Sequence, residues 1–227
     1  IYACRTSPYV EDDERRNLLF INNQDGTFTE QAAEFGLDNK GFSTQASFFD
    51  ADNDGDLDMY LANRPLQYEG IYREFYKKYR FTDELGTHRM FINNNNKFTD
   101  KSTEADVLCN GYGLSANIGD LNQDGLTDIY VCNDFIYPDF IYYNKGNGKF
   151  VDKAKDMMKH TSLSSMGSDL ADFNNDGLVD IFTVDMLAES NDRKKMNSNE
   201  DDYDKYFRVF KNGYGHQLMR NNLQLNV

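Results

Sequence analysis

Apolar and polar positions along the chain follow a repeating order. GFSTQASFF (residues 41–49), GYGLSANIG (111–119) and MGSDLADF (166–173) are strand-like stretches of mixed polarity. Each runs into an acidic loop, and each loop is followed by an apolar, β-branched or aromatic run: MYLAN (59–63), IYVCN (129–133) or IFTVD (181–185). Such runs, bounded by Asn, Asp and Gly, predict strands. A third pattern, NLLFINNQDGTF (17–28), HRMFINNNNKF (88–98) and FIYYNKGNGKF (140–150), puts Asn and Gly between two apolar runs. Those residues tolerate the positive φ of tight turns, so each predicts a hairpin. The unit is four strands, A to D, with the acidic loop joining A to B.

The loops are nine residues long: DADNDGDLD (50–58), DLNQDGLTD (120–128) and DFNNDGLVD (172–180). Oxygen-bearing side chains recur at positions 1, 3, 5 and 9 around a glycine at position 6, the arrangement by which a short loop wraps a hard cation. The expected ion is Ca²⁺, at three sites. Asp50, Asp52, Asp54 and Asp58 with the carbonyl of Asp56 form the first set. Asp120, Asn122, Asp124 and Asp128 with the carbonyl of Leu126 form the second, and Asp172, Asn174, Asp176 and Asp180 with that of Leu178 the third. An EF-hand would carry a bidentate Glu at position 12. Leu61, Val131 and Thr183 stand there, which excludes it. An ion-free acidic turn is the plain alternative for one copy, and repetition in register weighs against it.

The loops start 70 residues apart and then 52, the spacing of four-stranded blades with insertions of varying length. The expected fold is all-β: a β-propeller of four-stranded antiparallel blades, about four of them in this chain and part of a larger ring, with short helical insertions. The chain reads as a single partial propeller over residues 1–227, with approximate blades at 1–41, 42–111, 112–165 and 166–227. Ile1-Tyr2-Ala3-Cys4 matches Ile129-Tyr130-Val131-Cys132, so the first blade lacks strand A. HQLMRNN (216–222) matches HRMFINN and is expected to be strand C of the last blade.

These motifs resemble the FG-GAP, or VCBS-type, calcium-binding repeats of integrin α-subunit propellers and of many secreted bacterial proteins. LLFINNQDGTFTEQAAEFGL with FFDADNDGDLDMYLAN is similar to the ASPIC and UnbV group that includes cartilage acidic protein. The resemblance implies calcium held between the first two strands of a blade by the residues named above. It also implies ligand recognition on the opposite face, as in integrin propellers.

Composition narrows the partners. A net charge of −14 argues against nucleic acid and against direct insertion into, or attraction to, an anionic membrane. Eleven Asp lie in the loops, and three Ca²⁺ would bring −14 to −8. Hydrophobic content of 39% and a mean hydropathy of −0.74 describe a polar, turn-rich protein. Three Cys are odd in number, Cys4 and Cys132 sit two blades apart, and buried free thiols are expected. Weak extracellular-type calcium sites would stand empty in the cytosol, so an extracellular, cell-surface or outer-membrane-associated location is expected.

Strand polarity places the B–C connections (64–87, 133–139, 185–215) opposite the acidic loops, where a protein or glycan ligand is expected. In the first, Tyr68, Tyr72, Phe75, Tyr76 and Tyr79 with Arg73, Lys77, Lys78 and Arg80 predict an amphipathic helix, either packed on its own blade or docking a partner. The third, charged with an aromatic end, reads as part solvated loop and part helix. Catalysis is not expected. His88, His160 and His216 are the only histidines, two of them at one repeat position, and no nucleophile elbow, zinc pattern or phosphate loop occurs. A polysaccharide lyase and a structural subunit of an envelope complex are the alternatives to a binding module.

Overall fold

The structure, a computed structural model, describes residues 1–7, 11–65, 85–109, 111–135, 137–197 and 203–227. The amphipathic helix expected around residues 68–80 lies outside them. Apart from one short parallel pair, the described strands form antiparallel sheets in the expected order. The first sheet holds β1 (Tyr2–Ala3), β2 (Leu18–Asn22) and β3 (Phe28–Glu30), as strands B, C and D. The second holds β4 (Ser43–Phe49), β5 (Asp58–Asn63), β6 (Arg89–Asn93) and β7 (Phe98–Asp100) as A to D. The third repeats this with β8 (Gly113–Gly119), β9 (Asp128–Asn133), β10 (Phe140–Asn144) and β11 (Phe150–Asp152).

Strand B shows why its sequence is continuously apolar. Every residue of β5 and β9 is buried, because each strand is central in its sheet and covered on both faces. Met59 and Leu61 pack toward the first sheet with Leu19 and Leu37, while Tyr60 and Ala62 pack toward the third with Ile129 and Val131. On β9, Tyr130 and Cys132 turn the other way, joining Ile181 of the next sheet. Strand A is more polar because its side chains tie neighbouring sheets together. Thr44 Oγ1 donates to the Gly113 carbonyl, Ser47 Oγ to that of Ala116, and Asn117 Nδ2 to that of Ser168. Each of three A strands shifts register at the same place, between Ser43 and Gln45, Gly113 and Ser115, and Ser165 and Gly167.

Beyond the short β12 (Thr161–Ser162), the fourth sheet contains β13 (Ser165–Ala171) and β14 (Asp180–Asp185) and departs from expectation. Of residues 216–222, only Asn222 joins its strand C. β15 (Gln217–Leu218) instead pairs in parallel with β12, and β16 (Asn222–Gln224) pairs with β14. The register of Thr183 with Asn222 matches that of Leu61 with Arg89 and Val131 with Phe140, so strand C starts six residues after His216. His216 is therefore not at the repeat position of His88. The displacement has a hydrogen-bond cause: the Thr161 N–H binds the His216 carbonyl and the Leu163 N–H that of Leu218, drawing this segment away from β14.

The third insertion forms short helices at Asn191–Asn197 and Tyr203–Val209, then a π-helical turn at Phe210–Tyr214, in line with its mixed composition. All three cysteines are free. Cys132 is buried as expected, but Cys4 and Cys109 are half-buried, a correction to the reading that all three lie in the interior. Burial pushes the thiols up, to about 11 for Cys4 and about 12 for Cys109 and Cys132, so none is an activated nucleophile.

Candidate metal sites

The acidic loops join strand A to strand B in the second, third and fourth sheets, and one hydrogen-bond scheme builds all three. The carboxylate at position 1 accepts the backbone N–H groups of positions 5 and 6, in Asp50, Asp120 and Asp172. The position 5 carboxylate, in Asp54, Asp124 and Asp176, accepts the N–H of position 7. Position 9 lies at the base, fully buried in Asp58, Asp128 and Asp180. Its Oδ2 accepts the N–H of position 2, from Ala51, Leu121 or Phe173. Its Oδ1 accepts the N–H of an Asn at the end of strand C: Asn93, Asn144 and Asn226, each at 2.8 Å.

Two residues per loop are left-handed. Gly55, Gly125 and Gly177 have φ of 93°, 82° and 87°, and position 4 is also positive, in Asn53, Gln123 and Asn175. A Cβ on any of these glycines would meet nothing within 4 Å, so the glycine is required by the backbone and not by crowding. The glycine was expected from the sequence; the positive φ at position 4 was not.

These turns aim oxygen donors inward, most closely in the first loop. Carboxylate oxygens of Asp50, Asp52 and Asp58 lie within 4.8 Å of one another, the single such convergence of three acidic groups among the described residues. Asp52 Oδ1 and Asp56 Oδ1 are buried atoms with no hydrogen-bond partner. Burial, and after it the charge of Asp54, raises the pKa of Asp52 and of Asp56. Burial also pushes Asp58 and Asp128 up to about 6, against two backbone N–H groups each that favour the ionised form. Clustered carboxylates of this kind call for a compensating positive charge.

Sequence reasoning missed the Asn that closes each site. Asn144 Nδ2 donates to the Ala51 carbonyl and Asn226 Nδ2 to that of Leu121, so each reaches back to the loop of the preceding sheet. The signal is an Asn ending an apolar strand C run, present as FIN, YYN and LQLN.

On the other end of the sheets, where the B–C and D–A connections emerge, a cleft of about 250 Å³ opens beside the third sheet. Phe140, Tyr142, Met158 and Tyr214 give it apolar walls, and Asp152, Lys155, His160 and His216 add polar groups. Asp139 borders it but is spoken for: it accepts from the Tyr130 hydroxyl, the Ser165 hydroxyl and the Asn133 N–H. His160 and His216, far apart in the repeat pattern, both line the cleft because β12 and β15 pair.

Comparison with known proteins identifies the repeat. The FG-GAP-like repeat model matches residues 7–61 and 120–183, which include the first two acidic loops complete and the third as well. Cartilage acidic protein 1 of Mus musculus is 36% identical over 83 residues, 36% of this chain and 13% of that protein. Cartilage acidic protein 1 of Homo sapiens is 35% identical over 83 residues, 12% of its length. The match thus spans about an eighth of these relatives. With more than half of the residues matched by the repeat model, the chain belongs to the FG-GAP-like repeat family.

Proposed function

We propose that this chain is part of a calcium-stabilised β-propeller that acts outside the cytoplasm as a non-catalytic binding module for a protein or glycan. The observation that carries the reading is one hydrogen-bond scheme, repeated in three loops, that turns oxygen donors inward and leaves Asp52 Oδ1 buried without a partner. An all-oxygen donor set on a flexible loop suits Ca²⁺ better than a transition metal, which prefers nitrogen or sulfur. Asp50, Asp52, Asp54 and Asp58 with the Asp56 carbonyl would hold the first ion, and the corresponding residues of the other loops the second and third. Bound calcium supplies charge neutralisation. The chain's own residues set the loop, tie it to strand C through Asn93, Asn144 and Asn226, and thereby fix strand A to strand B.

Side-by-side sheets linked through their A strands are the arrangement of blades about an axis, which supports the propeller reading. Recognition then belongs to the end opposite the loops, where the cleft near Tyr142 and Tyr214 lies. Calcium acts there indirectly, by holding the frame.

Thermal unfolding of the intact protein with and without chelator tests the metal. At a calcium concentration a hundredfold above Kd, each independent site adds about 2.7 kcal/mol, so chelation must lower Tm by several degrees. An unchanged Tm overturns the reading. Incubation with uronic-acid polysaccharide is expected to produce no unsaturated ends; their appearance would replace the binding module with a lyase.

A further inference from the structure

We infer that the three loops are not equivalent, and that residues 50–58 hold calcium at least tenfold more tightly than residues 120–128 or 172–180. This rests on the reading that the ion is calcium, and it concerns what distinguishes the loops within one scheme.

The difference begins at position 3. In the second loop Asn122 engages its own loop at both ends: Oδ1 accepts the Asp124 N–H at 2.9 Å and Nδ2 donates to Asp124 Oδ2 at 3.0 Å. The third loop does the same, Asn174 Oδ1 with the Asp176 N–H at 3.0 Å and Nδ2 with Asp176 Oδ2 at 2.7 Å. An incoming cation must take Asp124 or Asp176 away from that amide, and a hydrogen bond to a charged group is the stronger kind. Asp52 has no donor with which to make such a contact. Its Oδ1 stays buried and unpartnered, close to the oxygens of Asp50 and Asp58. Calcium therefore displaces no side-chain amide there.

Charge adds to this. The first loop has five carboxylates, including Asp56 at position 7, where the others have Leu126 and Leu178 and three carboxylates apiece. Calcium loops are tuned by the number of charged ligands and by rigidity.

The consequence is a division of labour. One ion stays resident in the A–B loop of the second sheet across a range of calcium concentration, and two, in the loops of the third and fourth sheets, exchange as calcium varies. Graded stiffening is then concentrated at the junction of the third and fourth sheets, which flanks the cleft.

Calorimetric titration of the calcium-stripped intact protein with CaCl₂ tests this. The wild type should show one tight equivalent and two at least tenfold weaker. Asp52→Asn should abolish the tight phase and leave weak equivalents, whereas Asn122→Asp or Asn174→Asp should create a second tight equivalent. Three equivalents of equal affinity in the wild type, or a tight phase that survives Asp52→Asn, overturn the ranking while leaving calcium binding intact. Should Asp52→Asn fail to fold, the two Asn→Asp variants decide the matter alone, since an unchanged weak phase in both refutes the role of position 3. No calcium uptake at all by the wild type would instead remove the underlying metal reading.

Discussion

A tyrosine in the middle of strand B meets a polar residue immediately before strand C, and this pair recurs with changing chemistry. Asn17 Nδ2 donates to the Tyr2 hydroxyl, the Tyr60 hydroxyl lies 2.6 Å from His88 Nδ1, and the Tyr130 hydroxyl donates to Asp139 Oδ2 at 2.7 Å. In the fourth sheet Phe182 takes the tyrosine position and needs no such partner. A buried hydroxyl requires a partner, but either an acid or a base can serve. Their pH behaviour is therefore opposed. Burial pushes the Asp139 carboxyl up to about 7 and the His88 imidazole down to about 4. Native Asp139 keeps a proton that the unfolded chain releases near pH 4, so its contribution to stability falls as pH rises from about 4 to about 7. The contribution of neutral His88 is complete above pH 6.5 and is lost as pH falls toward 4. In excess calcium, Asp139→Asn should gain on the wild type by up to about 4 kcal/mol between pH 4 and 7 in urea unfolding. Parallel stability curves for the two proteins would show that the buried carboxyl carries no proton at neutral pH. The Asn variant should also lose stability below pH 6 more steeply than the wild type, because the opposing His88 trend is then unmasked.

At the level of the element, the acidic loop and the C–D hairpin were legible because each uses residues with a strong local reason to be there. Gly at a positive φ, Asx side chains that accept neighbouring N–H groups and strictly apolar B strands need no tertiary information. Register at the last strand C was not legible, since HQLMRNN and NNLQLNV both place two apolar residues within the three positions ahead of an Asn. Tertiary pairing decides between them: Asn226 reaches both Asp180 Oδ1 and the Leu121 carbonyl, a double contact that Asn221 would have to make from the earlier register. The cleft histidines were invisible for the same reason, being joined by the β12–β15 pairing and not by the repeat. Two substitutions probe what the elements depend on. Gly125→Ala should cost about 1–2 kcal/mol from backbone strain alone, with no clash, while Gly125→Asn should recover part of that loss. Equal loss for Ala and Asn would mean that something other than positive φ fixes the glycine. Asn144→Ala removes the donor to the carbonyls of Ala51 and Thr127 and should cost about 1–3 kcal/mol by chemical denaturation. It should weaken calcium binding at residues 50–58 and not at 172–180.

Over the whole molecule, a net charge of −14 is concentrated where it does most harm to folding, with eleven aspartates in three short loops. The salt bridges that the described residues form lie elsewhere, among them Arg16 with Asp13 and Asp38, Lys40 with Asp13, and Arg89 with Asp100. Among the described residues none pairs a loop carboxylate with a basic side chain, which leaves a cation, protons or screening to neutralise the loops there. These routes are distinguishable. At an ionic strength near 0.1 M, the Debye length of about 10 Å exceeds the spacing of carboxylates within a loop, and screening there is weak; near 1 M it falls to about 3 Å. In chelator, raising NaCl across that range should raise Tm steadily, because the repulsion being screened is the loops' own. In millimolar calcium the same salt series should leave Tm nearly level, since the bound ions have already removed the repulsion. If the two series rise in parallel, the charge that destabilises the metal-free chain is spread over its general surface, and the acidic loops are not where its electrostatic strain is held.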